Sequence, residues 1–438
     1  MNRLFSKTNK ERKGFIEYYH LRGALLVFIA GSIISISIFY LIQSEENTKI
    51  QSVFESNARN RLAALKTDIV RHQEMVNSIA GLFSSSENVT RKEFHAFVKN
   101  ALSRYPYIQG LSWNPLIKKS EKKRFIDKAH ESGIGDFKIT ELNSDGQKIK
   151  APVRGEYVAV YYIEPYLRNK EAMGFNIASN PARLKALKQA RDTGLAVITE
   201  RIILVQEKKG NFGYLLMKAI YQKGTVNDTV AKRRKHFAGL AVGVFRFGDW
   251  IPLSMRDIKP LGIDVLITDE SAPAVKQFLH FHSSRTREEE YHPTQDEFNM
   301  AEKSLHWRTT VDILGRQWSF LFAPSPAFLN AHKSWLALAS LATGLIFTIL
   351  LSVYLHSKAR HTRKLAKTND ELRAALNEIK TLRGIIPICS YCHSIRDDKG
   401  SWALIDAYLS EHSDAQFSHG VCPNCLEKAL TDADIDKK

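Results

Sequence analysis

The chain has 438 residues, 44% hydrophobic and 25% charged, with 63 Lys plus Arg against 46 Asp plus Glu for a formal net charge of +17. Those proportions are ordinary for folded protein and exclude bulk disorder and fibrous repeats, and the length suggests two or three domains. A mean hydropathy of −0.26 excludes a polytopic membrane bundle, and four cysteines confined to Cys389–Cys425 exclude a disulfide-stapled exterior.

Residues 1–22 form a basic N-terminus, with Arg3, Lys7, Lys10, Arg12, Lys13 and Arg22 against Glu11 and Glu17. Gly23–Ile42 follows without a charge for 20 residues. At ~1.5 Å per residue this crosses a ~30 Å hydrocarbon layer, and only a helix satisfies its own backbone there. A first transmembrane helix is therefore expected over 23–43. A cleaved signal peptide fits less well, because Gln43-Ser44-Glu45-Glu46 offers no small-x-small cleavage site. A second span over 335–355 is expected from Trp335–Leu355, 21 further uncharged residues. Lys358, Arg360, Arg363, Lys364 and Lys367 follow it. The positive-inside bias then puts both termini in the cytoplasm and residues 44–334 outside, in the periplasm or extracellular space. The cysteine distribution agrees, since all four fall in the reducing compartment. Much of the net charge thus marks topology. The juxtamembrane run suits anionic lipid headgroups, and no basic, aromatic-studded patch calls for nucleic acid.

Within the exported region, apolar residues from Ile50 to Phe83 recur every three or four positions, predicting a long amphipathic stalk helix. Thr90 with Glu93 is a capping box opening the next helix. Ile108–Trp113 reads as a strand ended by Asn114-Pro115, and residues 157–163 as another. Arg183–Thr193 is helical with Gly194 at its C-terminus; strands follow at 202–205, 214–220 and 240–247. Residues 281–297 read as a solvated loop, and 305–323 as a hairpin around Leu314-Gly315-Arg316. The mixture predicts an α+β fold.

The run Tyr105–Pro115 resembles the early motif of CHASE domains, the extracellular sensory modules of receptor kinases and cyclases. Gly174–Pro181, with Arg183, Ala186, Ala190, Arg191, Thr193 and Gly194, resembles the family's core block; Thr199, Leu204, Gln206, Glu207, Gly213-Tyr214-Leu215 and Tyr221 continue it, and Gly239–Phe247 resembles its closing strand. The similarity covers roughly 75–250, leaving 251–334 as a membrane-proximal part. The resemblance implies a ligand-sensing domain of PAS-like sheets behind a stalk helix, with Thr199, Leu204 and Tyr214 as candidate ligand contacts. Asn176 stands where Asp is common and Ala219 where Pro is common. Arg183 falls near the place of an acidic base-reading residue in cytokinin-binding members, which argues against an adenine-type ligand.

After the second span, Leu365, Leu372, Ile379 and Ile386 recur every seven residues, with Thr368, Ala375 and Leu382 three after the first three of them. This predicts a parallel homodimeric coiled coil over 357–386. A single amphipathic helix packed on something else would read the same way. Residues 387–428 carry Cys389-Ser390-Tyr391-Cys392 and Cys422-Pro423-Asn424-Cys425, 29 residues apart. Two such pairs in a reducing compartment suit a structural, zinc-ribbon-like Zn²⁺ site on four thiolates. Redox-active thiols and, through Cys389–His393, c-type haem attachment are the competing readings. A helix is expected over Trp402–Ser410. The segment also resembles a cysteine-rich terminus found in bacteria after PAS, response-regulator and histidine-kinase-related modules, which implies a signalling context.

Only 83 residues follow Leu355, too few for a kinase core or a cyclase. The expected function is a non-enzymatic inner-membrane receptor. It would bind an extracytoplasmic small molecule or peptide and relay the change through the second span and coiled coil to a cytoplasmic kinase or response regulator via the zinc-binding tail. The alternative is a membrane-anchored thiol redox protein using the paired CxxC motifs.

Overall fold

The structure is a computed structural model describing residues 2–203, 212–287, 304–383, 386–413, 416–418 and 420–435, with side chains not described for 2–21, 378–383 and 431–435. Its elements in chain order are α1 (Asn2–Ser85), α2 (Arg91–Arg104), β1 (Gly110–Lys118), α3 (Lys122–Glu131), β2 (Thr140–Leu142), β3 (Lys148–Lys150), β4 (Glu156–Val158), β5 (Tyr162–Glu164), α4 (Tyr166–Asn169) and α5 (Pro181–Thr193). Then come β6 (Val197–Ile198), β7 (Ile202–Ile203), β8 (Phe212–Tyr221), α6 (Val230–Lys235), β9 (Phe237–Arg246), α7 (Phe247–Ser254), β10 (Ile263–Asp269), β11 (Phe278–His282), β12 (Trp307–Ile313) and β13 (Arg316–Pro324). The remainder is α8 (Pro326–Ala331), α9 (Leu336–Arg383), β14 (Ile395–Arg396), β15 (Trp402–Ala403), α10 (Ile405–His412) and α11 (Pro423–Ile435). The chain divides into two compact units, Tyr40–Ala337 on one side and Met1–Phe39 with Leu338–Lys438 on the other.

The larger unit is mixed α/β and holds two antiparallel sheets besides the short β2–β3 ribbon. The first has seven strands in the order β4-β1-β9-β8-β6, with β5 also on β1 and β7 also on β8; the second runs β11-β10-β13-β12. Along α1, Phe54, Ala58, Leu62, Leu65, Ile69, His72, Val76 and Ile79 are buried at helical spacing, so one stripe of the stalk supplies core to the unit. Fully burying a Leu, Ile or Phe side chain contributes about 1.5–3 kcal/mol, so this stripe fixes the stalk on the unit. The capping box opening α2 is present, with Thr90 Oγ1 accepting from Glu93 N and Glu93 Oε2 accepting from Thr90 N. Gly194 closes α5 in the left-handed region at φ 73°.

Three expectations need correction. β1 does not end at Asn114-Pro115; it runs on to Lys118 and pairs Pro115 with Gly239 of β9. Proline lacks the N–H, and strands tolerate it where the ladder is broken. On β1's other side the ladder breaks there: 157–163 is two short strands, with Trp113 opposite Tyr162 and Leu116 opposite Val158. Three residues on that side face two on β1, a bulge. In the tail, Trp402 sits 53% exposed in β15 rather than opening a helix, which starts at Ile405. β11 takes in Phe281 and His282 from the expected loop, 288–297 lying outside the described residues. The 305–323 hairpin is β12–β13, with Leu314 and Gly315 at φ 50° and 88°.

The smaller unit carries the two apolar segments within α1 and α9, both long and apolar enough to cross a membrane. They run antiparallel against each other. A Cβ at Gly31 would lie 2.6 Å from the Thr348 side chain, and one at Gly344 would lie 2.5 Å from Ser35 Oγ. Ser352 Oγ donates to the Ala24 carbonyl at 3.0 Å. Close approach over small residues with hydroxyl hydrogen bonds is how helices associate where lipid removes the hydrophobic drive.

Candidate ligand cavity and cysteine tail

Strand alternation gives the first sheet two unlike faces. On one, Tyr214 of β8 pairs with Phe245 of β9 and meets the stalk. There His72 is buried, stacked 4.0 Å from Phe245 and edge-on to Trp250, with Tyr214 Oη 3.1 Å from Nδ1 and Tyr107 Oη 3.3 Å from Nε2. Burial, and to a lesser degree Arg71, push the His72 pKa down to about 3, so it is neutral at physiological pH. Burial also holds the Tyr214 hydroxyl well above its ordinary pKa. This face is packing.

The opposite face carries Ser112 and Asn114 of β1, Leu215 of β8, and Val242 and Val244 of β9, in register as Ser112–Val242, Asn114–Leu240 and Leu215–Val244. With Val160, Phe175 and Arg183 these side chains line a cavity of about 40 Å³. Arg183 reaches it from α5, whose buried stripe is Arg183, Ala186, Leu187 and Ala190. Arg183 is 5% exposed. It lies 4.9 Å over the Phe175 ring and donates through Nη2 to the Ile203 carbonyl at 3.4 Å. Its Nε has no partner among the described residues. Burial alone lowers its pKa to about 10. Asn114 Nδ2 donates to Ser112 Oγ at 3.0 Å, while Asn114 Oδ1 is buried without a partner. A small apolar chamber is thus closed by one unmatched cation and one unused acceptor.

Two of the three residues proposed as ligand contacts lie elsewhere. Thr199 Oγ1 accepts from Leu215 N at 3.1 Å, and Tyr214 packs on the stalk face; neither lines the cavity. Leu204, like Gln206 and Glu207, lies outside the described residues. Asn176 is structural, its Oδ1 accepting from Val158 N and its Nδ2 donating to Glu141 Oε1.

In the tail, Cys389 is half-buried and Cys392, Cys422 and Cys425 are exposed. Each CxxC closes on itself: His393 N donates to Cys389 O and Cys425 N to Cys422 O, both at 3.0 Å. The Ser394 hydroxyl beside Cys392 and the Cys425 backbone N–H beside Cys422 hold those thiols below their ordinary pKa. No group of three or more His, Cys, Asp or Glu is arranged to hold a metal among the described residues. Among the described residues the two cysteine pairs therefore stand as separate turns.

With this geometry in hand, the larger unit can be matched to known families. Residues 87–280 are a CHASE domain. That segment contains the cavity, the first sheet, and β10 with the first three residues of β11 from the second. The chain is 22% identical over 358 residues to the hybrid signal transduction histidine kinase A of Dictyostelium discoideum, covering 79% of this chain and 17% of that protein. It is 19% identical over 380 residues to the germination-specific adenylate cyclase of the same organism, covering 84% of this chain and 42% of that one. The chain thus spans less than half the length of these curated relatives. Among solved structures, the periplasmic sensory domain of the Campylobacter jejuni chemoreceptor Tlp1 aligns at 12% identity and a TM-score of 0.36 over 66% of this chain and 98% of that one.

Proposed function

We propose that the protein is a membrane-anchored sensory receptor whose CHASE domain binds an extracytoplasmic small molecule or peptide and relays the event across the membrane. The observation that carries this reading is the position of a CHASE domain between two membrane-length helices. Antiparallel packing of the two helices puts their outer ends on one side, which supports a cytoplasmic location for both termini. Continuity of α9 from Leu336 to Arg383 supports relay through that helix. Leu365 and Leu372 are 60% and 61% exposed on the single chain, which supports a coiled-coil seam completed by a second copy; Ile379 and Leu382, further along the seam, lie outside the described side chains. The relay would end on a partner kinase or response regulator through the cysteine tail, which zinc would complete by drawing its two CxxC turns together. Topology fusions test the core of this reading. A C-terminal alkaline phosphatase fusion should be inactive and one inserted near residue 225 active; the reverse overturns the reading.

A second reading, a membrane-anchored thiol redox protein, is favoured by the self-contained CxxC turns and the lowered pKa of Cys392 and Cys422. Metal content of the reduced full chain separates the two. One zinc per chain supports the relay tail; none, with reversible disulfides, supports redox cycling.

A further inference from the structure

A buried cation without a counter-charge is an expensive arrangement. Guanidinium desolvation is offset in folded proteins by a carboxylate, by several hydrogen bonds, or by a ligand. Arg183 has one long hydrogen bond and one aromatic face, and no acidic partner among the described residues. Its setting worsens the imbalance. It stands three residues after the N-cap Asn180, in the first turn of a 13-residue helix. The positive end of the helix dipole lies there, so it adds to the charge instead of offsetting it. An anion is what both features lack.

The second polar feature has the opposite need. Asn114 commits its amide nitrogen to Ser112 and, at 3.4 Å, to the Leu240 carbonyl. Its oxygen is left buried and unused, so only a hydrogen-bond donor satisfies it. The walls between are Val160, Phe175, Leu215, Val242 and Val244. The cavity's 40 Å³ corresponds to roughly three waters at about 10–15 Å³ each. That admits a short ligand and excludes a nucleobase or a peptide.

We propose that this cavity binds a small carboxylic acid of roughly two to four carbons bearing a hydroxyl or amino group, its carboxylate on Arg183 and its donor on Asn114 Oδ1. The inference rests on the receptor reading and names the ligand class for it. It also gives the apolar walls a role, since they desolvate the ion pair and strengthen it. The ligand would neutralise the cation at the head of α5 and bind that helix more firmly to β8 and β9.

The test uses the full chain in lipid nanodiscs, with glycolate, L-lactate, glycine and L-alanine as probes in thermal-shift and calorimetric titrations. At least one of the four should bind and raise the melting temperature. The hydroxy-acid and amino-acid arms decide which donor Asn114 reads. The methyl ester of the binding acid should lose at least about tenfold in affinity, as should acetate, which lacks the second donor. Arg183→Met should melt no lower than wild type without ligand and should lose the ligand-induced shift. Binding that survives esterification or Arg183→Met overturns the proposal, as does failure of all four acids. A neutral metabolite that binds the wild type and is blocked by Val242→Trp would sink the anionic class and leave the receptor reading standing. Inverted topology fusions would sink the receptor reading whatever the titrations give.

Discussion

Of three buried arginines in the larger unit, Arg61 of the stalk gives its guanidinium to the Asn57 and Lys259 carbonyls, and the other two divide the unit. Arg316, on β13 of the second sheet, is 9% exposed and donates through Nε to Asp269 Oδ2 of β10 at 2.5 Å. Arg183, beside the first sheet, is buried at least as deeply and meets no carboxylate among the described residues. The second sheet repeats its solution at Asp264, which Arg287 engages at 2.5 Å and which also accepts from Ser284 N. The second sheet thus settles its buried arginine internally, as Glu141 does with Arg154 beside the first, whereas at Arg183 a vacancy of charge lies next to a vacancy of space. A scaffold needs the first arrangement; a binding site needs the second.

That contrast can be broken by experiment. The largest effect is expected from Asp269→Ala, which leaves Arg316 as unmatched as Arg183. Loss of one partner of a buried pair costs about 3–5 kcal/mol, readable as a shifted denaturation midpoint. An unchanged midpoint would erase the distinction between the two sheets. The two faces of the first sheet should also differ. Gly243→Ala puts a Cβ 2.6 Å from the Phe245 ring and 2.9 Å from Val76 on the stalk face, and should cost about 1–3 kcal/mol by overpacking. Val242→Leu, on the cavity side, has free volume to enter and should cost less than about 1 kcal/mol. Equal costs would mean that the cavity face is as full as the stalk face.

Acid sharpens the same comparison. His72 is depressed from 6.5 to about 3 in the folded chain, so between those values the unfolded chain binds the extra proton. Stability therefore rises with pH through this window and falls as pH drops below 6.5. From pH 6.5 to 5.5 the loss from this residue is about 1 kcal/mol, because His72 of the unfolded chain is already half protonated at 6.5. The slope should flatten in a His72→Gln variant, and an identical slope would remove His72 as its source. Smallest of all, Arg183→Met without ligand should leave stability unchanged or slightly raised, because no charged partner is orphaned by it and only one long hydrogen bond, to the Ile203 carbonyl, is lost.

Much of the architecture was legible before any coordinates. Uncharged length reported both apolar helices, the Ile50–Phe83 spacing reported the stalk, and Thr90 with Glu93 reported the start of α2. Such signals are local, set by lipid thickness or a single helical turn. Pro115 misled because its meaning depends on the neighbouring strand. It ends a strand by local propensity, yet here the opposing bulge at 159–161 leaves no ladder for its missing N–H to break. The second sheet was seen only as its hairpin, since β10 joins β13 across a long sequence separation, with Asp269 opposite Trp318. The cavity was missed for a different reason. Thr199 and Tyr214 came from a family block, and Tyr214 lies one residue out of phase with Leu215, which does line the chamber. A usable sign was present: Arg183, Ala186, Leu187 and Ala190 are spaced as an apolar stripe, and its first position holds a cation. The four cysteines show the converse, for their spacing suggests one cluster while the described structure keeps them as two separate turns.

The fit between the two apolar helices restricts how the hairpin can move. Gly31 receives Thr348 and Gly344 receives Ser35 in a single register. Sliding one leg by a turn, about 5.4 Å, would in one direction set Ser35 against Thr348 and Gly31 against Ser352, a collision of hydroxyl-bearing side chains, and in the other set Gly31 against Gly344, leaving both notches unfilled. Piston travel between the legs of one hairpin is therefore obstructed, whereas tilting or swivelling about the notches leaves both seated. A stimulus crossing the bilayer through this pair would be carried as a change of angle.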